Sequence, residues 1–160
     1  MQNISTPLGK KNTNHFLQSK TNTLVSGEDT IWLVINSDKH GLVHFEQFME
    51  FIKRTWCISN SKFVNIHIAL SEAVMNAIDH GNKRHPEKTI YICAKRDEDY
   101  FGFSVEDQGE GFNYRRIENP TDHENREKAH GRGIFIMNYL TENLHYSENG
   151  TCAKLLFSRT

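Results

Sequence analysis

The chain has 160 residues, and its 19 lysines and arginines nearly balance its 20 aspartates and glutamates. This length suits one domain with a sizeable core, and the charge balance argues against both a broadly basic surface for nucleic acid and an acidic surface for a polycation. Three widely spaced cysteines without a C-x-x-C pair argue against a disulfide framework and a zinc site. The chain shows no signal peptide and no apolar run near the ~18 residues of a membrane span, so we expect a soluble protein in a reducing cytoplasm.

The first part of the chain predicts an extension, a strand and a helix. Residues 1–27 are rich in asparagine, serine, threonine and lysine with little apolar periodicity, so we expect a polar N-terminal extension before one domain at residues 28–160. The apolar, β-branched run TIWLVIN predicts a strand at residues 30–36. SDKHG then offers a helix cap, and apolar residues at three- and four-residue spacing predict a helix from about residue 40 to 56.

A second helix is predicted after SNSK, and it carries polar residues on one side. Its apolar stripe continues to His80, where the following glycine is a natural stop. At about 100° per residue, Glu72, Asn76 and Asp79 lie within about 60° of one another, away from the centre of that stripe. The segment SEAVMNAIDHG therefore groups side chains that a purely structural helix does not need.

The rest of the chain predicts two hairpins separated by a polar loop and a helix. Two β-rich runs, at residues 88–96 and 100–107, predict an antiparallel hairpin. Residues 113–130 are highly charged and nearly lack apolar side chains, which is typical of a loop. IFIMNYL predicts a helix of about three turns, and LHYSE with TCAKLLFS predicts a final hairpin around Asn149 and Gly150.

Two glycine-bearing segments flank the polar loop. In DQGEGF, Gly109 and Gly111 remove side chains where the backbone needs positive φ or a close approach to a flat ligand, and Asp107 ends the strand beside them. Taken alone, such a D-x-G-x-G segment is most often only a turn.

The second glycine segment, HGRGIFIM, lies at the start of a helix. The free N–H groups and the positive dipole end of a helix beginning near Gly131 and Gly133 favour a phosphate. Arg132 adds a bidentate phosphate donor. A G-x-G segment before a helix is also frequent in ordinary loops, so it indicates a phosphate site only in combination with the other segments.

The order and combination of these segments resemble the Bergerat-fold ATP-binding domain shared by gyrase, MutL and histidine kinases, over about residues 30–159. The matching features are E-x-x-x-N on a helix, D-x-G-x-G, a polar lid, G-x-G before a helix and a final G-T pair. Within that superfamily, SEAVMNAIDHG and HGRGIFIM are similar to S-E-A-x-x-N-A-x-x-H-G and G-R-G-L-F-L-M of the bacterial anti-sigma-factor serine/threonine kinases. The resemblance implies a two-layer α/β sandwich, with a mixed, mainly antiparallel sheet and helices on one face.

The resemblance also implies ATP and Mg²⁺ as ligands. Asn76 would hold Mg²⁺ through its side-chain oxygen, the ligand type that magnesium prefers. Asp107 would accept a hydrogen bond from the adenine amino group. The remaining implied contacts are Gly109 and Gly111 with the base and ribose, Gly131, Arg132 and Gly133 with the phosphates, and Thr151 with the adenine end through its hydroxyl.

Glu72 is the residue that the resemblance implies for catalysis. Its carboxylate, one helical turn before Asn76, would take the proton from a serine or threonine hydroxyl as the γ-phosphoryl group is transferred. In a relative that only hydrolyses ATP it would activate water, and the structural alternative is a solvated helix carboxylate. His80 either contacts a phosphate or caps the helix end, and Asp79 is expected at the surface or behind the ligand contacts.

The function implied is that of an ATP-dependent protein serine/threonine kinase acting as an anti-sigma regulatory factor. It would phosphorylate a small anti-anti-sigma protein and reversibly sequester a sigma factor, with no direct contact to nucleic acid or membrane. The resemblance leaves a homodimer open. The alternatives are a non-catalytic ATP-binding partner-switching module and a histidine-kinase-type catalytic domain, although we see no room for the dimerisation helix that normally precedes the latter.

Overall fold

The computed structural model describes residues 29–113, 132–147 and 149–160, together with the backbone of the strand Thr23–Ser26. A π-helical turn, Ala77–Gly81, follows the second helix directly. The strands and helices are, in chain order, β1 (Thr23–Ser26), β2 (Thr30–Asn36), α1 (Lys39–Thr55), α2 (Asn60–Asn76), β3 (Thr89–Arg96), β4 (Tyr100–Glu106), α3 (Arg132–Leu140), β5 (Asn143–Tyr146) and β6 (Cys152–Ser158).

The strands form one six-stranded sheet in the order β1, β2, β3, β4, β6, β5, and each of its five described pairings is antiparallel. β3 and β4 form the first predicted hairpin, with Ile92 opposite Val105. β5 and β6 form the second, with Leu144 opposite Leu155. The mainly antiparallel sheet expected from the sequence is therefore confirmed.

The helices cover one face of this sheet and the core lies between the two layers. Successive side chains of a strand point to opposite faces, so the buried members of β3, which are Ile90, Ile92 and Ala94, share the face that the helices cover. This arrangement confirms the predicted two-layer α/β architecture. The helices contribute their predicted apolar stripes to the same core, with buried Phe45, Phe48, Met49 and Ile52 from α1 and Ile66, Ala69, Leu70 and Val74 from α2.

The boundaries of α1 and α3 agree closely with those expected. Asp38 caps α1 by accepting a hydrogen bond from Gly41 N at 2.8 Å, which satisfies one of the free N–H groups of the first turn. α3 begins at Arg132 and has 9 residues, close to the three turns predicted. No helix in the described ranges is both long enough and apolar enough to cross a membrane.

The edge strand β1 lies within the segment that we expected to be an extension. Its backbone pairs with β2, with Thr23 opposite Val34 and Ser26 opposite Ile31. Four residues before position 27 thus add a strand to the sheet. The division between an extension at residues 1–27 and a domain at residues 28–160 stays a prediction.

The end of the second helix differs from the expectation. The sequence predicts an α-helix to His80, whereas α2 ends at Asn76 and the wider π-helical turn continues to Gly81. The amide of Asn82 donates to the carbonyl of Ala77 at 2.7 Å, the five-residue spacing of a π-helix. This wider turn carries Asn82 into the protein interior, and single π-turns of this kind are frequent at functional sites.

Candidate functional site

Glu72 and Asn76 lie on the last turns of α2, where the start of α3 meets them. A Cβ on Gly133 would lie 2.6 Å from Glu72 Oε2 and 3.5 Å from Asn76 Nδ2. Only a residue without a side chain can therefore occupy position 133, the second of α3, without displacing Glu72. The structure brings together these three predicted site residues beside the N-terminal turn of a helix, where the backbone favours negative charge.

The second predicted glycine segment contains Gly131 and Arg132 in addition to Gly133. Arg132 is the first residue of α3, and its side chain is exposed to solvent. Gly131 lies outside the described residues. The phosphate contacts expected of this segment remain a prediction for both residues.

Asp107 lies directly after β4, at the opposite end of the candidate site. Its backbone N–H donates to Thr151 O at 3.0 Å, and its Oδ1 accepts from Gly109 N at 2.7 Å. Burial raises the pKa of the Asp107 carboxyl above its usual value, and the hydrogen bond from Gly109 N opposes that shift. The loop thus presents a partly buried carboxylate in a fixed orientation, which suits recognition of a hydrogen-bond donor on a ligand.

Gly81 packs directly against this carboxylate. A Cβ on Gly81 would lie 2.2 Å from Asp107 Cγ, and a Cβ on Gly109 would lie 2.2 Å from Gly81 O. Positive φ among the described glycines occurs at Gly111 and Gly150, so the left-handed conformation of a helix stop does not account for Gly81. Gly81 is a residue whose contribution to the site the sequence interpretation missed, since a glycine after a helix is ordinarily explained as a terminator.

The second part of the D-x-G-x-G segment packs against the turn between β5 and β6. Gly111 has φ of 75°, and a Cβ there would lie 1.8 Å from Asn149 O. Phe112 N donates to the same carbonyl at 3.1 Å. Thr151 Oγ1 donates to Asn149 Oδ1 at 3.0 Å. The structure therefore joins Gly111 and Thr151 through Asn149, and the ligand contacts expected of them remain predictions.

Asn82 joins the loop after β4 to the rest of the domain, and the sequence interpretation did not identify it. Its side chain is 0 % exposed. Nδ2 donates to Ser37 Oγ at 2.6 Å and to Thr89 O at 3.0 Å, while Oδ1 accepts from Gln108 N at 2.8 Å. A polar residue directly after a helix-ending glycine is ordinarily assigned to a loop. The sequence features that could have indicated a role for Asn82 are its residue type and its position next to Gly81.

The two polar residues of the π-helical turn lie towards the surface. Asp79 accepts a hydrogen bond from Arg84 Nε at 2.8 Å, which forms an ion pair. The expectation that Asp79 lies at the surface or behind the ligand contacts stays a prediction. His80 is exposed, and both readings of it, phosphate contact and helix cap, stay predictions.

The donor set at Asn76 fits a magnesium ion held jointly with a ligand. Over residues 29–113, 132–147 and 149–160, no group of three or more histidine, cysteine, aspartate and glutamate side chains is arranged to hold a metal by itself. Magnesium commonly binds through one or two protein oxygens together with phosphates and waters. The amide oxygen of Asn76, beside the N-terminal turn of α3, offers one such oxygen where a phosphate is also favoured.

Comparison with known proteins places this geometry in a family. Residues 37–157, which include every site residue described above, match the family described as Histidine kinase-like ATPase domain. The chain is 31% identical over 97 residues to the Serine-protein kinase RsbW of Staphylococcus epidermidis and of its strain ATCC 12228 / FDA PCI 1200. These alignments cover 56% of this chain and 61% of each relative, so the chain spans about three fifths of the length of the curated relatives it matches. Since the family match extends over most of the chain and over both ends of the site, the chain belongs to the histidine kinase-like ATPase domain family.

Proposed function

We propose that this chain is an ATP- and Mg²⁺-dependent protein serine/threonine kinase that acts as an anti-sigma regulatory factor in the cytoplasm. The observation that carries the proposal is the meeting of Glu72, Asn76 and Gly133 beside the N-terminal turn of α3. It is supported by membership of an ATPase-domain family and by the similarity to a serine-protein kinase. The acceptor is a serine or threonine of a small anti-anti-sigma protein, and the second partner is a sigma factor.

Adenine binds at the Asp107 end of the site in this proposal. The carboxylate accepts a hydrogen bond from the 6-amino group of the base, while its Oδ1 also accepts one from Gly109 N. Guanine carries an oxygen at the corresponding position, so two acceptors would face each other and one buried group would lose its partner. A loss of that kind costs about 1–3 kcal/mol, which is sufficient to make the site selective for adenine.

The phosphates lie at the other end, between Asn76 and the start of α3. Mg²⁺, held through the amide oxygen of Asn76, would supply the positive charge that neutralises the phosphates. Asn76 supplies the protein oxygen, and the N–H groups of the first turn of α3 receive a phosphate oxygen. Arg132, exposed at the first residue of that helix, contacts the same phosphates from the solvent side in this proposal.

Glu72 acts as the general base. Its carboxylate takes the proton of the acceptor hydroxyl while the hydroxyl oxygen forms a bond to the γ-phosphorus and the bond to the bridging oxygen of ADP breaks. The half-buried position of Glu72 beside Gly133 keeps it within reach of the phosphate end of the site. A general base in this position contributes about 10²–10⁴-fold to the rate of such a transfer.

A non-catalytic, nucleotide-controlled binding module is the second candidate. The observation that favours it is the set of exposed apolar side chains on the helices that bear the site, including Ile68 and Met75 on α2 and Phe135 on α3, with Tyr139 80% exposed. Surface apolar groups next to a ligand site suit a partner protein or a second copy of the chain. In this reading ATP changes the affinity for a sigma factor without being consumed.

Transfer of the γ-phosphate distinguishes the two candidates. The chain is incubated with Mg²⁺, γ-labelled ATP and the anti-anti-sigma and sigma proteins of the same cell, and labelled serine or threonine is identified by mass spectrometry. We expect label on the anti-anti-sigma protein with the unaltered chain, and labelling slower by about 100-fold or more with Glu72→Gln. Capture of a partner that depends on ATP, without any label, would favour the binding module.

A further inference from the structure

We propose that Asn82 is a positioning residue that fixes the loop carrying Asp107 and thereby sets the selectivity of the site for adenine. The inference rests on the proposed nucleotide site, because it assigns a determinant of base recognition within it. Its starting observation is that one buried amide side chain reaches both the loop after β4 and two other elements of the domain.

The two ends of the Asn82 side chain serve different parts of the structure. The donor end, Nδ2, contacts Ser37 Oγ between β2 and α1 and Thr89 O at the start of β3. The acceptor end, Oδ1, receives the N–H of Gln108. The donor and the acceptor of a primary amide are a fixed distance apart. The side chain of Asn82 therefore sets the position of the Gln108 backbone N–H relative to Ser37 and to the start of β3.

The backbone N–H of Gln108 belongs to the peptide group that joins Asp107 to Gln108. The peptide before Asp107 is held by the hydrogen bond from Asp107 N to Thr151 O at 3.0 Å. The peptide after it is held by Asn82 at 2.8 Å. Fixing both peptides fixes the direction in which the Asp107 side chain leaves the backbone, and the hydrogen bond from Gly109 N then fixes its rotation.

The backbone of Asn82 adds a link to the phosphate end of the site. Its N–H donates to Ala77 O at 2.7 Å, and Ala77 directly follows Asn76. Asn82 therefore contacts the turn after the proposed magnesium ligand and the loop of the proposed adenine ligand. Loss of the Oδ1 contact would free the Gln108 N–H, and with it the peptide that follows Asp107, while the hydrogen bond from Thr89 N to Gln108 Oε1 and the turn stay in place.

Complete burial makes the residue type at position 82 restrictive. An alanine would leave the Gln108 N–H and the Thr89 carbonyl without this partner in the interior, and an unpaired buried group is costly. An aspartate would keep an acceptor for Gln108 N but would lose both donated hydrogen bonds. Comparison of the two substitutions therefore separates the hydrogen bond accepted by Oδ1, which holds the loop of Asp107, from the hydrogen bonds donated by Nδ2 to Ser37 and Thr89.

The test compares the affinities of the full chain for Mg-ATP and Mg-ITP, a nucleotide with an oxygen in place of the 6-amino group. We expect the unaltered chain to prefer ATP and Asn82→Ala to reduce the ratio of the two affinities by about tenfold or more, with affinity for ITP little changed. Asn82→Asp should retain the preference because it retains the acceptor. Ser37→Ala is the matched control, since it removes a donor-end contact only, and we expect it to lower the thermal midpoint without altering the ratio.

Each outcome decides the inference. An unchanged ratio in a folded Asn82→Ala variant, or loss of the preference in Ser37→Ala to the same degree, would overturn the positioning role while the proposed function stands. If Asn82→Ala does not fold, Asn82→Ser takes its place with the same expected loss. Failure of the unaltered chain to bind either nucleotide contradicts the proposed function itself and the inference with it.

Discussion

Gly81 and Asp107 lie so close together that a Cβ on Gly81 would sit 2.2 Å from the carboxyl carbon of Asp107. The turn after α2 therefore has no side chain at the point where the Asp107 carboxylate packs against it. Two segments that are separate in the sequence, the end of SEAVMNAIDHG and the start of DQGEGF, form one side of the proposed adenine site. The absence of a side chain at residue 81 is as much a requirement of the site as the presence of the carboxylate.

Gly81→Ala should impair both stability and nucleotide binding. The added methyl group overlaps the Asp107 carboxylate, and overpacking of this kind costs about 1–3 kcal/mol. We expect a lower thermal midpoint and weaker binding of ATP. Gly102→Ala is the matched control, because a Cβ there would meet its nearest atom, Leu156 Cδ1, at an ordinary 3.7 Å. Equal effects of the two substitutions would contradict the close-packing argument.

Gly133→Ala should lower phosphoryl transfer without lowering stability. The new Cβ would lie 2.6 Å from Glu72 Oε2, which is the far end of a flexible side chain, so rotation of Glu72 relieves the overlap at little cost. Alanine also favours a helix more than glycine does. We expect an unchanged or higher thermal midpoint and phosphoryl transfer lowered by about 100-fold, because the base is displaced.

A double substitution provides the control for that displacement. If Gly133→Ala acts through Glu72, it should have little further effect on residual transfer in a Glu72→Gln background. An additional loss of the full size in that background would show that Gly133→Ala acts elsewhere.

Much of this architecture could be predicted from the periodicity of apolar residues. TIWLVIN, the two β-rich runs and the stripe of α1 lead to elements whose ends lie within a residue or two of the observed ones. Helical periodicity continues through His80, so nothing in the sequence marks the change from α-helix to π-helical turn after Asn76. That change involves a tertiary contact, since it accompanies burial of Asn82 against Ser37.

The candidate site could be predicted in part for a similar reason. Glu72, Asn76, Asp107 and the glycines belong to short motifs with recognisable spacing, whereas Asn82 acts through partners distant in sequence. The strand β1 was missed because TLVS is short and lies in a polar segment. Pairing with β2 stabilises it, and a pairing partner cannot be read from four residues alone.

Glu72→Gln and Asn76→Ala should affect different steps. Removal of the base should lower transfer by about 100-fold or more and leave ATP binding unchanged. Removal of the amide oxygen should weaken Mg-ATP binding itself. The exposed Glu46→Gln on α1 serves as a control for loss of a carboxylate and should change neither quantity. Transfer at the normal rate by Glu72→Gln would remove Glu72 from the mechanism.

Asp107→Asn should show a pH-dependent effect on stability in the absence of nucleotide. Burial raises the pKa of this carboxyl in the folded chain above its value in the unfolded chain, so the folded chain binds the proton more tightly. The folded chain therefore loses stability as the pH rises from the unfolded pKa through the folded pKa. Asparagine removes this penalty and retains an acceptor for Gly109 N. We expect the variant to gain thermal midpoint relative to the unaltered chain at neutral pH, and the gain to vanish below the ordinary pKa of an aspartate, about 3.9.

The same variant should lose preference for adenine, because the amide presents a donor as well as an acceptor to the base. The two effects are measured by thermal unfolding at several pH values and by competition between ATP and ITP. A stability difference that is constant with pH would mean that Asp107 does not titrate as its burial indicates.

Thermal unfolding with Mg-ATP tests the central claim most directly. Ligand at about 100 times its dissociation constant adds about 2.7 kcal/mol to the free energy of unfolding, which for a domain of this size raises the midpoint by roughly 5 to 10 °C. We expect a shift of that order with Mg-ATP, a much smaller one with Mg-GTP, and a reduced one without magnesium. No shift with millimolar Mg-ATP, or equal shifts with ATP and GTP, would contradict an adenine-nucleotide site formed by Asn76 and Asp107.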